Sequence, residues 1–344
     1  MGAGGLWMPF HCDDPRTDKW AIETLDELLD STKHVEWMPA VALKKDHSGP
    51  EVLDYIADNY DMKGTGGESP LPTWTTDPRL QFQHLTVEML SWQNTVFKLR
   101  IPSQPQLLAA GYKHAWFFNT PIIDTPNMLQ SMLDQVEKHP NTAGIETLHY
   151  DSIQHVVDDA KSMGCDAVVN CTGLGAQQLC SDAHLVGARG ILLHFDRHSA
   201  NRLFTTCTDP NGAEATLTRD AVIMVEDAPW GTDAEPCYLI PRGDTLVVGG
   251  TYAEGDSRSA LSAAERATLM TNAKLLGIDS DASVPVGEWV GFRPARPTTR
   301  CEVDEKYGVE EGVKLVHSYG HGGSGWTVFA GAAREAASLL GHKS

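Results

Sequence analysis

The sequence predicts a mixed α/β fold, and three stretches predict it. "KLVHSYGHGGSGWTVFAGAAREAASLL", Lys314 to Leu340, passes from a short apolar strand through a glycine turn into a helix of small residues. "CDAVVNCTGLGAQQL", from Cys165 to Leu179, repeats the order of strand, turn and helix. Residues 191–256 alternate apolar and polar in "ILLHFD", "AVIMVED", "CYLIP" and "TLVVGGTY", with "PRGD" as a hairpin turn. Such runs joined by turns read as an antiparallel sheet.

The first stretch is also the main candidate site. Glycines at 320, 322, 323 and 325 let the backbone take positive φ and let a ligand come close. The helix that follows has unpaired N–H groups at its start and carries positive character there. Strand, glycine turn and helix N-terminus together make a site for an anion or an electron-rich ring. The structural alternative is a helix capped by Ser324, but four glycines in six positions exceed what a cap requires.

Composition sets bounds on function. A chain of 344 residues, 41% hydrophobic, is long enough for one large or two medium domains. A net charge of −19 argues against nucleic acid and anionic membranes as partners. No apolar run has the length of a bilayer span. The start lacks the basic and apolar regions of a secretory signal. Gly2 invites myristoylation, but residue 6 is Leu rather than Ser or Thr. Seven cysteines without a CxxC pair read as intracellular free thiols. His11–Cys12 has no second pair at metal spacing, so no metal is expected.

The elements follow in order. Apolar positions Trp20, Ile22, Leu25, Leu28 and Leu29 predict an amphipathic surface helix over residues 18–33, capped by Thr17 or Asp18. Residues 46–80 are broken by Gly and Pro and read as loop, with a short helix near Val52–Tyr60. "HAWFFNTPIIDTPNMLQSMLDQVEKH" predicts a strand, a turn and a helix with Thr125 as N-cap and Pro126 at N1. Ser262 and Glu265 form a capping box for a helix to Leu276, ended by Gly277. "GFRPARP" holds Arg293 beside Pro294, with Pro297 following, and these prolines deny the backbone a helix.

"VHSYGHGGSGWTVFAGAA" is similar to the C-terminal signature of the FAD-dependent D-amino-acid oxidase family, which includes the D-aspartate oxidases. "GGLWMPF", "VVNCTG", "CYLIP" and "GFRP" resemble further family segments in the right order. The resemblance implies an incomplete Rossmann-like FAD-binding domain (residues 1–10, 140–190 and 287–344). Interleaved with it is a substrate domain on the antiparallel sheet (11–139 and 191–286). Family members begin with a βαβ unit whose G-x-G-x-x-G turn holds the ADP half of FAD. The nearest match, "GHGGSG", belongs to the C-terminal loop, and no other G-x-G-x-x-G stands between a strand and a helix, so a fragment, or a non-catalytic homologue unable to hold FAD, is the alternative reading.

The resemblance also assigns roles. Arg293 would grip the substrate α-carboxylate, for which a planar guanidinium is suited. Tyr238 would reach the same carboxylate, and the Gly323 carbonyl would accept from the amine. Phe10 falls near the substrate. Gly5, Leu6, Val168, Thr172, Gly173, Gly320, Gly322, Gly323, Ser324, Gly325, Trp326 and Thr327 would meet FAD. A further family Tyr on a lid is replaced by Ala234, and the polar residue of an Arg-Gly-Gln turn by Ile191. Arg242 and Tyr252 are further candidates for the pocket mouth, without a motif behind them. The implied reaction is oxidative deamination of a D-amino acid by hydride transfer from Cα to flavin N5, with O2 as acceptor and a 2-oxo acid, ammonia and H2O2 as products. D-Aspartate oxidase is the close rival, though it should want a cation where Tyr252 stands. The implied partners are a small D-amino acid and O2, with a homodimer left open. An intracellular location, peroxisomal or cytoplasmic, is expected, although "GHKS" is not a peroxisomal terminus.

Overall fold

The computed structural model describes residues 3–9, 12, 14–30, 33–45, 72–208, 211–212, 214–225, 236–307 and 312–341. The expected helix near Val52–Tyr60, Phe10 and Ala234 lie outside these residues.

The elements run α1 (Thr17–Asp30), β1 (Val35–Lys45), β2 (Gln83–Thr86), α2 (Val87–Phe97), α3 (Gln104–Ala109), β3 (Tyr112–Ile123) and α4 (Thr125–Lys138). Then come α5 (Ile153–Ser162), β4 (Ala167–Asn170), α6 (Ala176–Leu179), β5 (Val186–Asp196), β6 (Thr206–Thr208), β7 (Glu214–Thr216) and β8 (Val222–Val225). The chain continues through β9 (Cys237–Arg242), β10 (Thr245–Gly249), β11 (Ala253–Glu254), α7 (Ala263–Leu275), β12 (Gly287–Ala295), β13 (Arg300–Val303), β14 (Lys314–Tyr319) and α8 (Gly325–Leu339).

Among the described residues, nine strands form one sheet in the order β11-β5-β10-β9-β8-β1-β3-β2, with β12 also paired to β5. The sheet is mixed rather than antiparallel throughout, because β1 and β8 pair in parallel. One apolar cluster covers each face. On the first, Leu193, Leu239, Ile223 and Val41 meet Leu90, Leu107 and Leu269 from α2, α3 and α7. On the second, Leu192, Ile240, Met224 and Ala42 meet Trp7, Trp20 and Val328. Alternation along each strand sorts these residues, since successive side chains point to opposite faces.

A smaller sheet, β13-β14-β4, pairs β14 with β4 in parallel and with β13 antiparallel. This is the Rossmann-like part. The sheets divide the chain differently from the expected domains at two places. β12 (287–295) is bonded along its length to β5 in the large sheet. α1, expected in the substrate domain and on the surface, packs along α8 with Trp20, Ala21, Leu25 and Leu28 buried. The Thr24 hydroxyl accepts from the N–H groups of Ala330 (3.1 Å) and Gly331 (3.2 Å).

Local expectations fare unevenly. The Ser262–Glu265 capping box is present, Gly277 follows the helix with φ 94°, and "PRGD" turns β9 into β10. Thr125 is not an N-cap. Asp124 takes that position, and the buried Thr125 hydroxyl instead accepts from Arg242 at 3.3 Å.

Helices α1 and α8 touch backbone to side: a Cβ at Gly331 would stand 2.4 Å from Trp20 Cα. Gly331→Ala should therefore push the helices apart and destabilise the protein by about 1–3 kcal/mol. Chemical denaturation checks this; an unchanged midpoint would mean that the interface has slack.

Candidate functional site

The site is built on the second face of the large sheet. Along β5 that face carries Val186, Ala188, Gly190 and Leu192. Register places Arg293 opposite Ala188, Gly291 opposite Gly190, and Gly249 of β10 opposite Leu192. Tyr238 of β9 stands opposite Gly249. The small residues make a trough, and the two large side chains lie down in it. A Cβ at Gly190 would come within 2.4 Å of Arg293 Nη1, and one at Gly249 within 2.4 Å of Tyr238 Cζ.

Arg293 is fixed at three points. Its Nη1 donates to the Thr251 carbonyl at 2.8 Å, its guanidinium lies 5.4 Å from the Tyr252 ring, and it donates to the Tyr238 hydroxyl. Burial pushes the Tyr238 phenol above its ordinary range, with Arg293 opposing only in part. The hydroxyl thus keeps its proton at neutral pH and stays a donor. A carboxylate is the ligand that two such groups suit.

The glycine turn lies beside them. Gly320 and Gly322 take φ of 87° and 53°, and the single 3-10 turn Gly322–Ser324 packs against β12. Ser324 precedes α8 but makes no side-chain cap bond. A Cβ at Gly325 would meet nothing within 4 Å, so space is open at the start of α8. Gly323 is exposed, Trp326 is half-buried beside Phe329, and the Thr327 hydroxyl accepts from Met8 N (3.2 Å) and donates to Met8 O (3.0 Å).

That pair brings the first residues to the site. Leu6 bridges to Ile122 of β3, and Gly5 (φ 81°) passes so close to β3 that a Cβ would sit 2.2 Å from the Ile123 carbonyl. The Gly5 conformation is therefore already required by packing. At the other turn, Thr172 is exposed and Gly173 (φ 56°) has no atom within 4 Å of where its Cβ would stand. Val168 faces the α5 cluster, so only its backbone is left for a ligand. Leu174 reaches Gly187 and Phe292, on the face of β5 and β12 opposite Arg293. Arg242 is tied to Ala3 and Thr125.

A buried polar chain beneath the two turns escaped the sequence reading. Asn170 Oδ1 accepts from Thr172 N (3.1 Å) and Oγ1 (2.7 Å), and its Nδ2 faces His317 Nδ1 at 3.1 Å. His317 Nε2 meets Asp304 at 2.9 Å. Burial keeps the His317 imidazole below its ordinary pKa although Asp304 opposes this, so Nε2–H donates and Nδ1 accepts from Asn170. Asp182 continues the pattern, accepting from Tyr319 (2.9 Å) and from Arg296 (3.0 Å). Asn170 and His317 stood inside the quoted motifs, but a lone polar residue in an apolar strand gives no sign of its partner.

A recess of about 600 Å³ lies on the first face, lined by Leu43, Tyr112, Ile223 and Leu276. It is apolar and on the wrong side of the sheet for Arg293. Among the described residues no cluster of His, Cys, Asp and Glu could hold a metal, and no helix is long and apolar enough to cross a membrane.

Residues 2–339 match the family model described as FAD dependent oxidoreductase. The chain is 28% identical over 250 residues to a D-amino-acid oxidase of Rubrobacter xylanophilus, which covers 73% of this chain and 66% of that protein, just under two thirds of it. It is 26% identical over 340 residues to a D-amino-acid oxidase of Streptomyces coelicolor, covering 98% and 83%. Its fold is similar to glycine oxidase from Geobacillus kaustophilus, with a TM-score of 0.65, 15% identity and coverage of 99% and 84%.

His321, within the glycine turn, and His194, on β5, are both pushed down by burial to about 4, and each has a buried Nε2 without a partner among the described residues. In the unfolded chain they bind protons near pH 6.5. Stability should then be full above that value and fall as the pH drops from about 6.5 toward 4, by up to about 1.4 kcal/mol per pH unit for each group. Urea unfolding at pH 7, 6 and 5 measures this, and His321→Gln should flatten the slope.

Proposed function

The chain belongs to the FAD dependent oxidoreductase family, and on that premise we propose that it deaminates D-amino acids oxidatively. The products are a 2-oxo acid, ammonia and H2O2, with O2 as the electron acceptor. The observation that carries this reading is Arg293 and Tyr238 lying together on a glycine floor, with the Gly322–Ser324 turn against the same strand.

The residues present fit the flavin end of FAD. Side-chain-free backbone at Gly173 and Gly325 leaves open space, and α8 directs its N-terminus toward the second of these. Gly320, Gly322, Gly323, Ser324, Trp326 and Thr327 would hold that end from the turn and the first turn of α8, with Thr172 and the Val168 backbone on the other strand. Gly5 and Leu6 would serve from the β3 side. For the ADP end, the sequence offers no G-x-G-x-x-G other than the Gly320–Gly325 turn already given to the flavin end. FAD, when bound, supplies the capacity to take two electrons from a C–H bond.

The chain's own contribution is binding and orientation. Arg293 takes the α-carboxylate through its free N–H groups while Thr251 and Tyr238 hold the guanidinium still. The Tyr238 hydroxyl adds a second donor to the same carboxylate. The Gly323 carbonyl accepts from the substrate amine once it is neutral, which frees the lone pair. Fixing the carboxylate and the amine sets the direction in which the single Cα–H bond points, and this is catalysis by orientation. A second carboxylate, as in D-aspartate, would find Tyr252 rather than a cation beyond Arg293, which disfavours a D-aspartate oxidase.

Arg293→Ala should remove two charge-assisted hydrogen bonds, worth about 1.5–3 kcal/mol each, and lower kcat/KM for D-alanine by about 100-fold or more, chiefly through KM. The melting temperature should move by only a few degrees. H2O2 release with D-alanine and flavin bleaching under anaerobic conditions read the activity. Wild-type kinetics in the variant would refute the role of Arg293.

A further inference from the structure

The trough does not stop at Arg293. On the far edge of β5, Glu254 of β11 stands opposite Ala188, and Ala188 stands opposite Arg293. Carboxylate, methyl and guanidinium therefore form one row across three strands on one face. Two strand spacings separate the outer two backbones, roughly 10 Å. The alanine between them leaves the gap open.

Beside this row lies a recess of about 240 Å³, whose lining includes His184, Val186, Tyr252, Glu254, Ala295 and Arg296. Val186 and Ala295 are register partners two residues along from Ala188 and Arg293, about 7 Å at roughly 3.4 Å per residue. Tyr252 belongs to both places: its ring faces the Arg293 guanidinium and also walls the recess.

The charges around the recess are uneven. Arg296 is committed, with Nε on Asp182 and Nη1 on the Thr298 carbonyl. Arg293 is held on Thr251 and faces the trough. Glu254 has no hydrogen bond or ion pair to any described residue, and it is exposed toward the opening. The recess thus presents one uncompensated negative charge at a side chain's reach from the α-carboxylate position.

We propose that this recess receives the side chain of the substrate, and that Glu254 selects D-amino acids whose side chain ends in a cation, such as D-lysine, D-ornithine and D-arginine. The proposal rests on the D-amino-acid reading for the place of the α-carboxylate. A flexible methylene stem passes Tyr252 and Ala188, and the terminal ammonium or guanidinium pairs with Glu254. An acidic side chain would meet like charge there.

The test compares D-lysine with D-norleucine, which has the same stem without the charge, and with D-glutamate. Binding is measured by calorimetry on the purified, FAD-supplemented protein under anaerobic conditions at pH 7.5, and turnover is followed separately as H2O2. D-Lysine should bind about tenfold more tightly than D-norleucine. Glu254→Gln should bring that ratio to within about twofold of one, and Glu254→Lys should turn the preference toward D-glutamate. Equal binding of D-lysine and D-norleucine, failure of both to bind, or a ratio unmoved in Glu254→Gln would overturn the assignment. Selective binding without H2O2 release would uphold Glu254 and refute the oxidase reading instead, so the two fail separately.

Discussion

Everything at this site depends on β12 lying antiparallel along β5 for nine residues, Gly287 to Ala295. The pairing brings a late part of the chain onto the sheet built by the middle of the chain. It sets Arg293 beside Ala188 and turns its side chain to the face where Tyr238 already stands. A slip of one residue would send Arg293 to the other face and leave Phe292 in its place. The ladder of backbone hydrogen bonds is thus what brings Arg293, next to Pro294, into the company of Tyr238.

The hollow is made by omission. Ala188, Gly190 and Gly249 occupy the site face, while their neighbours on the other face, such as Leu193 and Val248, are large and buried. Tyr238 and Arg293 fill the room left by missing side chains and stop there. Glycine in a strand interior weakens it. Here the glycines are what leaves room for the Tyr238 and Arg293 side chains to lie along the sheet.

Much of this was legible in the sequence. The glycine turn, both βα turns, the alternating runs, the capping box at Ser262 and the pairing of Arg293 with Tyr238 all rest on local signals or on a motif match. What stayed hidden has physical causes. β1 went unread as a strand, and Pro39 within it speaks against one. Yet β8 joins β1 only from Ala40, so the ladder on that side loses nothing to the missing N–H. α1 looked like a surface helix because periodicity reports that a face is apolar, not what covers it. Thr125 looked like a cap until Arg242, 117 positions away, took its hydroxyl. The Asn170–His317–Asp304 chain depends on contacts across up to 147 positions, which no local pattern encodes.

The close approach of α1 and α8 also bears on how the chain is made. Thr24 finds its partner at Ala330, 306 residues later. A ribosome adding roughly 5–20 residues per second would leave Trp20, Leu25 and Leu28 without their cover for about 15–60 seconds. During that interval α1 is a sticky amphipathic segment of a nascent chain, and it is a natural client for a chaperone until α8 emerges.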